Sequence, residues 1–273
     1  MKTIDKALKI YNDVKVFIFN NTELMKDIIL NLLLHVRFNI FKKYCKRIDF
    51  SNHTLVFSDD FKSLDNFNIK DGEFYNDNDV WFSKDTVTLT NEGVNISCIE
   101  SPSDHTSWQG ERITKWTSGM IDTRNKVSIK NGIWVITAKI CNSWPAIWLL
   151  KYDRMVPNHT KERIIPEVDI MEVIDGVVRH TIHYGYPDDD QYSKLALGNN
   201  ICKCDNQFHE FATELLENGY KFYIDGILTA SFTSKDPEFV SNDANYLILN
   251  NAANPSDTGN TNFIIRSIKV YEK

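Results

Sequence analysis

Several kinds of chemistry have no counterpart in this 273-residue chain. It contains nothing like a phosphate-binding glycine loop and nothing like a nucleophilic serine motif, which argues against nucleotide chemistry and against a serine hydrolase. No apolar run reaches the roughly 20 residues that a membrane span needs. An apolar stretch close to the start, followed by a small-residue cleavage site, is also missing, so no signal peptide is evident. Cysteine is sparse. The five residues at 45, 98, 141, 202 and 204 cannot all pair, and Cys202-Lys203-Cys204 is too close and too isolated to argue zinc. Free or buried thiols are expected. There is no internal repeat, no low-complexity tract and, beyond about residue 54, no helical period of convincing length.

What is present from residue 54 onward is a series of short apolar or aromatic runs separated by turn signals. Asn218-Gly219 and Asp225-Gly226 bracket Tyr220-Lys221-Phe222-Tyr223-Ile224, a hairpin signature on both sides. Asp71-Gly72, Asn131-Gly132 and Asn254-Pro255 mark further turns. The length suffices for one large β-sandwich at 54–273 preceded by an extension at 1–50.

That extension differs in kind. Residues 1–50 carry ten Lys and Arg against five acids, a balance of +5, so the remainder carries −11 of the net −6. Residues 24–46 lack Gly and Pro, and Ile28, Ile29, Leu32, Leu33, Val36 and Ile40 follow helical spacing. Asn31, His35, Arg37 and Asn39 interrupt it. Three readings stand: an amphipathic helix packed on the β domain or a partner, a basic interfacial helix against a membrane through Lys42-Lys43 and Lys46-Arg47, or a degenerate targeting segment with initiation at Met25. Nucleic acid is not expected, because the acidic main domain would be repelled. Asn20, Asn52, Asn95 and Asn158 begin Asn-x-Ser/Thr sequons, which matter only if the chain enters a secretory pathway.

The most informative stretch is Glu167-Val168-Asp169-Ile170-Met171-Glu172. On a strand, Glu167 and Asp169 point one way and Val168 and Ile170 the other. Glu172 follows Glu167 by five, an odd offset that would turn a carboxylate into the core, where it is costly. A β-bulge near Met171 would absorb one residue and return Glu172 to the face of its partners. The two glutamates would then stand roughly 13 Å apart at Cα. Side chains reaching toward each other would bring the carboxyls to about 5 Å, the separation expected when one acid is nucleophile and the other acid/base in a retaining glycosidase. Asp169, between them, can share a proton or hydrogen bond with Glu167. A solvated acidic face, or part of a cation site, fits the six residues equally well.

Upstream, Trp144-Pro145-Ala146-Ile147-Trp148 places two indoles an even offset apart, hence on one strand face, and Pro145 suggests an edge strand or a strand start. Each ring is either a sugar platform or core. Downstream come Thr181-Ile182-His183-Tyr184-Gly185, Phe208-His209-Glu210-Phe211, Tyr223-Ile224-Asp225-Gly226 and Tyr246-Leu247-Ile248-Leu249-Asn250.

Taken in this order, the chain resembles glycoside hydrolase family 16, and within it the laminarinase-like endo-β-1,3-glucanases. Residues 167–172 match the family's Glu-Ile-Asp-Ile-Met-Glu with Val168 for isoleucine, and residues 144–148 match Trp-Pro-Ala-Phe-Trp with Ile147 for phenylalanine. Val56-Phe57-Ser58-Asp59-Asp60-Phe61, Thr117-Ser118-Gly119 and Val270-Tyr271 extend the match, collinearly, over residues 56–271. The resemblance implies an all-β fold, a two-sheet antiparallel jelly roll with a concave substrate cleft. It implies Glu167 as nucleophile, Asp169 as its helper and Glu172 as general acid/base. Trp144, Trp148 and Trp116 would position sugars, and His183 and Asn250 fall in segments that line the family's cleft. From the residues alone, His183 is equally a satisfied strand histidine and Asn250 equally a strand-end cap. The added residue between the acids sides with the laminarinase-like branch, since lichenases and xyloglucan-modifying members look like Glu-x-Asp-x-Glu.

Some positions depart from the family. Pro166 stands where glycine is usual, so the strand is expected to begin at Glu167. The family's Tyr-Gly-x-x-Glu-x-Arg strand becomes Asn131-Gly132-Ile133-Trp134-Val135-Ile136-Thr137, losing acid and arginine together and leaving no orphan charge. Thr213-Glu214-Leu215-Leu216 replaces a Trp-containing run, and Arg266 replaces an aspartate often tied to structural calcium. The reaction expected is double displacement on a polysaccharide, most simply a β-1,3-glucan, by a monomer without a cofactor. By resemblance the location is extracellular or at the cell surface. A transglycosylase, or a non-catalytic glucan-binding module, would use the same scaffold.

Overall fold

The structure is a computed structural model that describes residues 46–75, 79–151, 166–174, 176–184, 206–235, 239–241, 243–253 and 257–273, and the backbone of 192–197. The expected helix over 24–46, Cys45, Cys202, Cys204, the sequons at Asn20 and Asn158, the turn at Asn254-Pro255 and most of the loops 151–165 and 186–200 lie outside the described residues.

Nineteen strands follow one another in the described residues. The first seven are β1 (Thr54–Asp59), β2 (Asn68–Ile69), β3 (Glu73–Phe74), β4 (Val80–Phe82), β5 (Val87–Thr90), β6 (Gly93–Ser107) and β7 (Gly110–Ser118). Next come β8 (Met120–Asp122), β9 (Ser128–Ile129), β10 (Gly132–Lys139), β11 (Trp144–Lys151), β12 (Glu167–Ile174), β13 (Val177–Tyr184) and β14 (Tyr192–Leu197). The last five are β15 (His209–Leu216), β16 (Gly219–Ile224), β17 (Ile227–Thr233), β18 (Asn245–Ala252) and β19 (Thr261–Glu272).

They form two sheets. The larger runs β17-β16-β15-β10-β19-β6-β7-β4-β3, with β1 also on β19 and β5 on β6. The smaller runs β14-β13-β12-β11-β18-β8-β2, with β9 on β18. Every pairing is antiparallel except β4 with β7, as expected of a sandwich built from consecutive strands. At the edge of the smaller sheet, β14 pairs with β13 from Arg179↔Leu197 to Tyr184↔Tyr192.

Alternation along each strand divides the side chains between two apolar layers. Trp134, Ile136, Ile147, Leu149, Phe211 and Phe222 fill the space between the sheets. Trp144 and Trp148 point the other way and join Tyr246, Ile248, Ala252 and Trp116 on the opposite face of the smaller sheet. Val80, Phe82 and Cys98 belong to that second cluster, so the β3-β4-β6-β7 end of the larger sheet closes against this face. Cys98 is buried there, which pushes its thiol up to about 12, and among the described residues neither it nor Cys141 is in a disulfide.

Turn chemistry sets the hairpins. Asp225 and Gly226 have φ of 51° and 72° between Ile224 and Ile227, the two positive angles of a type I′ connection. The neighbouring turn differs from expectation. Leu216 pairs with Gly219, so Glu217 and Asn218 make the turn and Gly219 opens β16. A Cβ there would lie 2.0 Å from the Phe232 carbonyl oxygen, so the glycine serves close strand approach. Pro145 sits at the start of β11, but β11 is an interior strand. Its pairing with β12 begins only at Ala146, so the missing N–H interrupts no ladder on that side.

Residues 46–50 lie against the outer face of the larger sheet. The Leu228 amide donates to the Lys46 carbonyl, and the Ile48 amide to the Gly226 carbonyl. Ile48 and Phe50 pack over Ile133, Val135, Ala212 and Tyr223. Val135 thus belongs to an apolar patch that the incoming chain covers.

Candidate active site

Strand β12 carries the acidic stretch, and its register contains the expected irregularity. Against β11, Trp148 pairs with Asp169 and Ile147 with Met171, leaving Ile170 as the added residue. Against β13, Asp169 pairs with Thr181 and Glu172 with Arg179. Ile170 and Met171 are both fully buried in the main core. Two successive side chains therefore face inward, and Glu172 turns outward beside Glu167 and Asp169. A core position for each apolar residue and a wet position for each glutamate can be met together only with the bulge.

The flanking strands supply neighbours by register. On β13, His183 stands beside Glu167, Thr181 beside Asp169 and Arg179 beside Glu172. On β11, Trp148 stands beside Asp169 and Ala146 beside Glu172. The Trp144 indole N–H donates to Glu172 Oε1 at 3.1 Å, and the Thr181 hydroxyl lies 3.5 Å from Glu172 Oε2. The Trp148 indole N–H donates to Asn250 Oδ1 at 2.7 Å. His183 Nε2 is 3.4 Å from Asp169 Oδ2.

Glu167, Asp169, Glu172, Trp144, Trp148 and His183 therefore come together on one face. Two further residues expected to contact sugar are buried against that face. Trp116 is 4% exposed and packs within the second cluster, with the Lys115 ammonium 4.7 Å above its ring. Its faces are taken by protein, so it walls the cluster rather than offering a sugar platform. Asn250 is fully buried in the middle of β18. It neither caps a strand end nor opens to a ligand; it holds the Trp148 ring. Sequence reasoning missed Thr181 and Arg179, which two-residue steps back from His183 would have found. It also missed Tyr75, whose ring stands edge-on to Trp144 at 6.3 Å between centroids. Burial, and then Glu167, Glu172 and Asp169, hold the Tyr75 phenol well above its ordinary range.

The acids are strongly coupled. Asp169 is 2% exposed. Burial first, then the Glu172 charge and a hydrogen bond to Glu172, raise its carboxyl well above the usual range. Burial, and next the Asp169 charge, push Glu167 up to about 8, with His183 opposing and Glu172 adding. Three acids this close cannot all ionise near neutrality. The proton belongs on the most buried, Asp169, and a neutral Asp169 relieves the repulsion on Glu167.

This coupling makes a stability prediction. Glu167 has a folded-state pKa above its unfolded value, so its contribution to stability is complete below about 4.5 and is lost as pH rises through about 8. Glu167→Gln, neutral throughout, is expected to melt higher than the parent at pH 9, by on the order of a few kcal/mol. The gap should shrink toward pH 5. Melting temperatures at the two pH values check this, and equal differences at both would contradict it.

One oxygen each of Glu167 and Asp169 and a ring nitrogen of His183 all lie within 4.8 Å of one another, a spacing that suits a divalent cation. A cation there would engage Glu167, so its binding and any attack by Glu167 exclude each other. Arg266 sets its guanidinium 3.4 Å from the centroid of the Phe208 ring. It also lines a cavity of about 480 Å³ together with Asp60 and Glu92.

No family model matches the chain. The laminarinase catalytic domain from Thermotoga maritima MSB8 superposes with a TM-score of 0.66 at 22% identity, over 82% of this chain and 99% of that one. The chain has the laminarinase fold. The same fold is shared with SCLam, a non-specific endo-β-1,3(4)-glucanase from family GH16, at a TM-score of 0.67 and 18% identity over 84% of this chain and 95% of that one. In sequence, the chain is 26% identical over 198 residues to glucan endo-1,3-beta-glucosidase A1 of Niallia circulans. That match takes in 63% of this chain but only 28% of the relative's length.

Proposed function

We propose that the chain is a retaining, endo-acting glycoside hydrolase of family 16 that cleaves β-glucosidic bonds of a polysaccharide, with β-1,3-glucan as its substrate class. The observation that carries this reading is the bulge at Ile170, which sets Glu167 and Glu172 on one open face with Asp169 between them. Similarity to the Thermotoga maritima laminarinase, to the endo-β-1,3(4)-glucanase SCLam and to the Niallia circulans glucan endo-1,3-beta-glucosidase supports the substrate class.

In this reading Glu172 in its protonated form donates to the leaving glycosidic oxygen while Glu167 attacks the anomeric carbon. Water deprotonated by Glu172 then releases the sugar from Glu167 with retained configuration. The Trp144 N–H on Glu172 Oε1 fixes which oxygen can carry the transferred proton. Asp169, neutral, holds Glu172 through its hydrogen bond without adding charge beside the nucleophile. Trp144 and Trp148 present half-buried indoles to the apolar faces of the sugars, Trp148 being held by Asn250. No step needs a metal or a cofactor.

The test is release of reducing ends from a panel of laminarin, mixed-linkage glucan, agarose and galactan. Laminarin should be cut, with oligosaccharides of several lengths appearing early, as internal cleavage requires. Activity on agarose or galactan with none on laminarin would contradict the substrate class, and no activity on any of the four would contradict the reaction.

A further inference from the structure

His180, on β13, is fully buried, and the proposed reaction does not use it. It precedes Thr181, so its ring enters the core while Thr181 faces the acids. Asp169 pairs with Thr181 and Glu172 with Arg179, which leaves Ile170 and Met171 together opposite His180 alone. The ring makes three contacts. Its Nδ1 lies 2.6 Å from the Ile170 carbonyl oxygen, its Nε2 lies 2.9 Å from the Thr229 hydroxyl, and its plane stacks on Phe222 at 4.8 Å and 17°.

A carbonyl only accepts, so Nδ1 carries the proton, and the single Thr229 hydroxyl hydrogen is shared between Nε2 and the Phe222 carbonyl 3.0 Å away. Burial, the dominant influence, pushes the imidazole down to about 4, so the ring is neutral in this role. Both polar contacts fall on irregular backbone. Ile170 is the added residue of β12 against β11. Thr229 is the added residue of β17, because Phe222 pairs with Ala230 and Tyr223 with Leu228. A bulge removes a ladder partner, and a buried carbonyl without one is costly.

We propose that His180 is a positioning residue for the reaction: its imidazole ties the bulged Ile170 carbonyl of β12 to the Thr229 bulge of the opposite sheet, and so fixes how Glu172 is aimed relative to Glu167 and Asp169. The inference rests on the reading of Glu167 and Glu172 as the reacting pair. Without the tie, the two inward residues have packing alone to hold their twist. A shift of about 1 Å in a reacting group can cost about a hundredfold in rate.

The test compares the full-length parent with His180→Leu, which fills similar space without a donor, and His180→Asn, whose amide nitrogen can stand in for Nδ1. Rates on laminarin are normalised to active sites by covalent titration, at a temperature where circular dichroism shows each protein folded. His180→Leu should lose about ten- to a hundredfold in kcat, with KM changed less than about twofold because sugar contacts are intact. His180→Asn should recover most of the loss. Thr229→Val, which cuts the far end of the tie together with the Thr229 hydroxyl's bond to the Phe222 carbonyl, should lower kcat by a smaller factor and serves if His180→Leu does not fold. Parental kcat per active site in His180→Leu or Thr229→Val, or an Asn variant no better than Leu, overturns the proposal while the glucanase reading stands. An inactive parent overturns both.

Discussion

Glu167→Ala is expected to lower kcat on a β-1,3-glucan by roughly 10⁴-fold or more, the scale seen when a covalent nucleophile is removed, while the protein stays folded. Glu167 opens β12, and its partner on β13 is His183 rather than a core residue. Its removal therefore relieves repulsion with Asp169 and Glu172 instead of opening a cavity. The variant also yields a stereochemical result. With an aryl β-glycoside and azide, the space left by the carboxylate admits azide on the face opposite the leaving group. A single displacement then gives the α-glycosyl azide. Formation of the β-azide by this variant would assign the nucleophile elsewhere.

Glu172→Ala should behave in the opposite sense. Loss of a general acid/base costs about 10²–10⁴-fold, and the loss should be greatest for substrates with poor leaving groups, which need the proton. An activated aryl glycoside still forms the glycosyl-enzyme on Glu167, and azide then attacks from the side Glu172 vacated. Two displacements give the β-azide. Measuring both products assigns the two roles without reliance on rate alone. The Trp144 N–H and the Thr181 hydroxyl lose their acceptor in this variant, so Glu172→Gln is the companion that keeps the packing.

Much of this site was legible in the sequence because it depends on local spacing. The odd offset of Glu172 demanded an added residue, and the structure has one at Ile170. The even offset of Trp144 and Trp148 put both rings on one face, and Asp225-Gly226 announced its own hairpin. What stayed hidden depends on segments distant in the chain. Trp116 is buried because β3, β4 and β6 close against the smaller sheet, and nothing near residue 116 reports that closure. Asn250 is occupied by an indole 102 positions away. Tyr75 approaches the acids across the same closure. The attachment of residues 46–50 to the outer face depends on pairing with β17, about 180 positions further along the chain.

The division of labour within the acidic stretch is the part that sequence could state and geometry alone could sharpen. Asp169 was expected between two glutamates, and burial adds the reason it stays protonated. His183 was expected as either a satisfied strand residue or a contact. Its position beside Glu167 and 3.4 Å from Asp169 puts it in the cluster, where it draws the Glu167 pKa down against burial.

The most direct test of the central claim is the anomeric configuration of the first product, followed by proton NMR from the first minutes of laminarin hydrolysis by the full-length protein. Double displacement through Glu167 predicts that the β-anomer appears first and the α-anomer grows in only by mutarotation. The α-anomer appearing first would mean direct attack by water and would contradict the assignment of Glu167 as nucleophile.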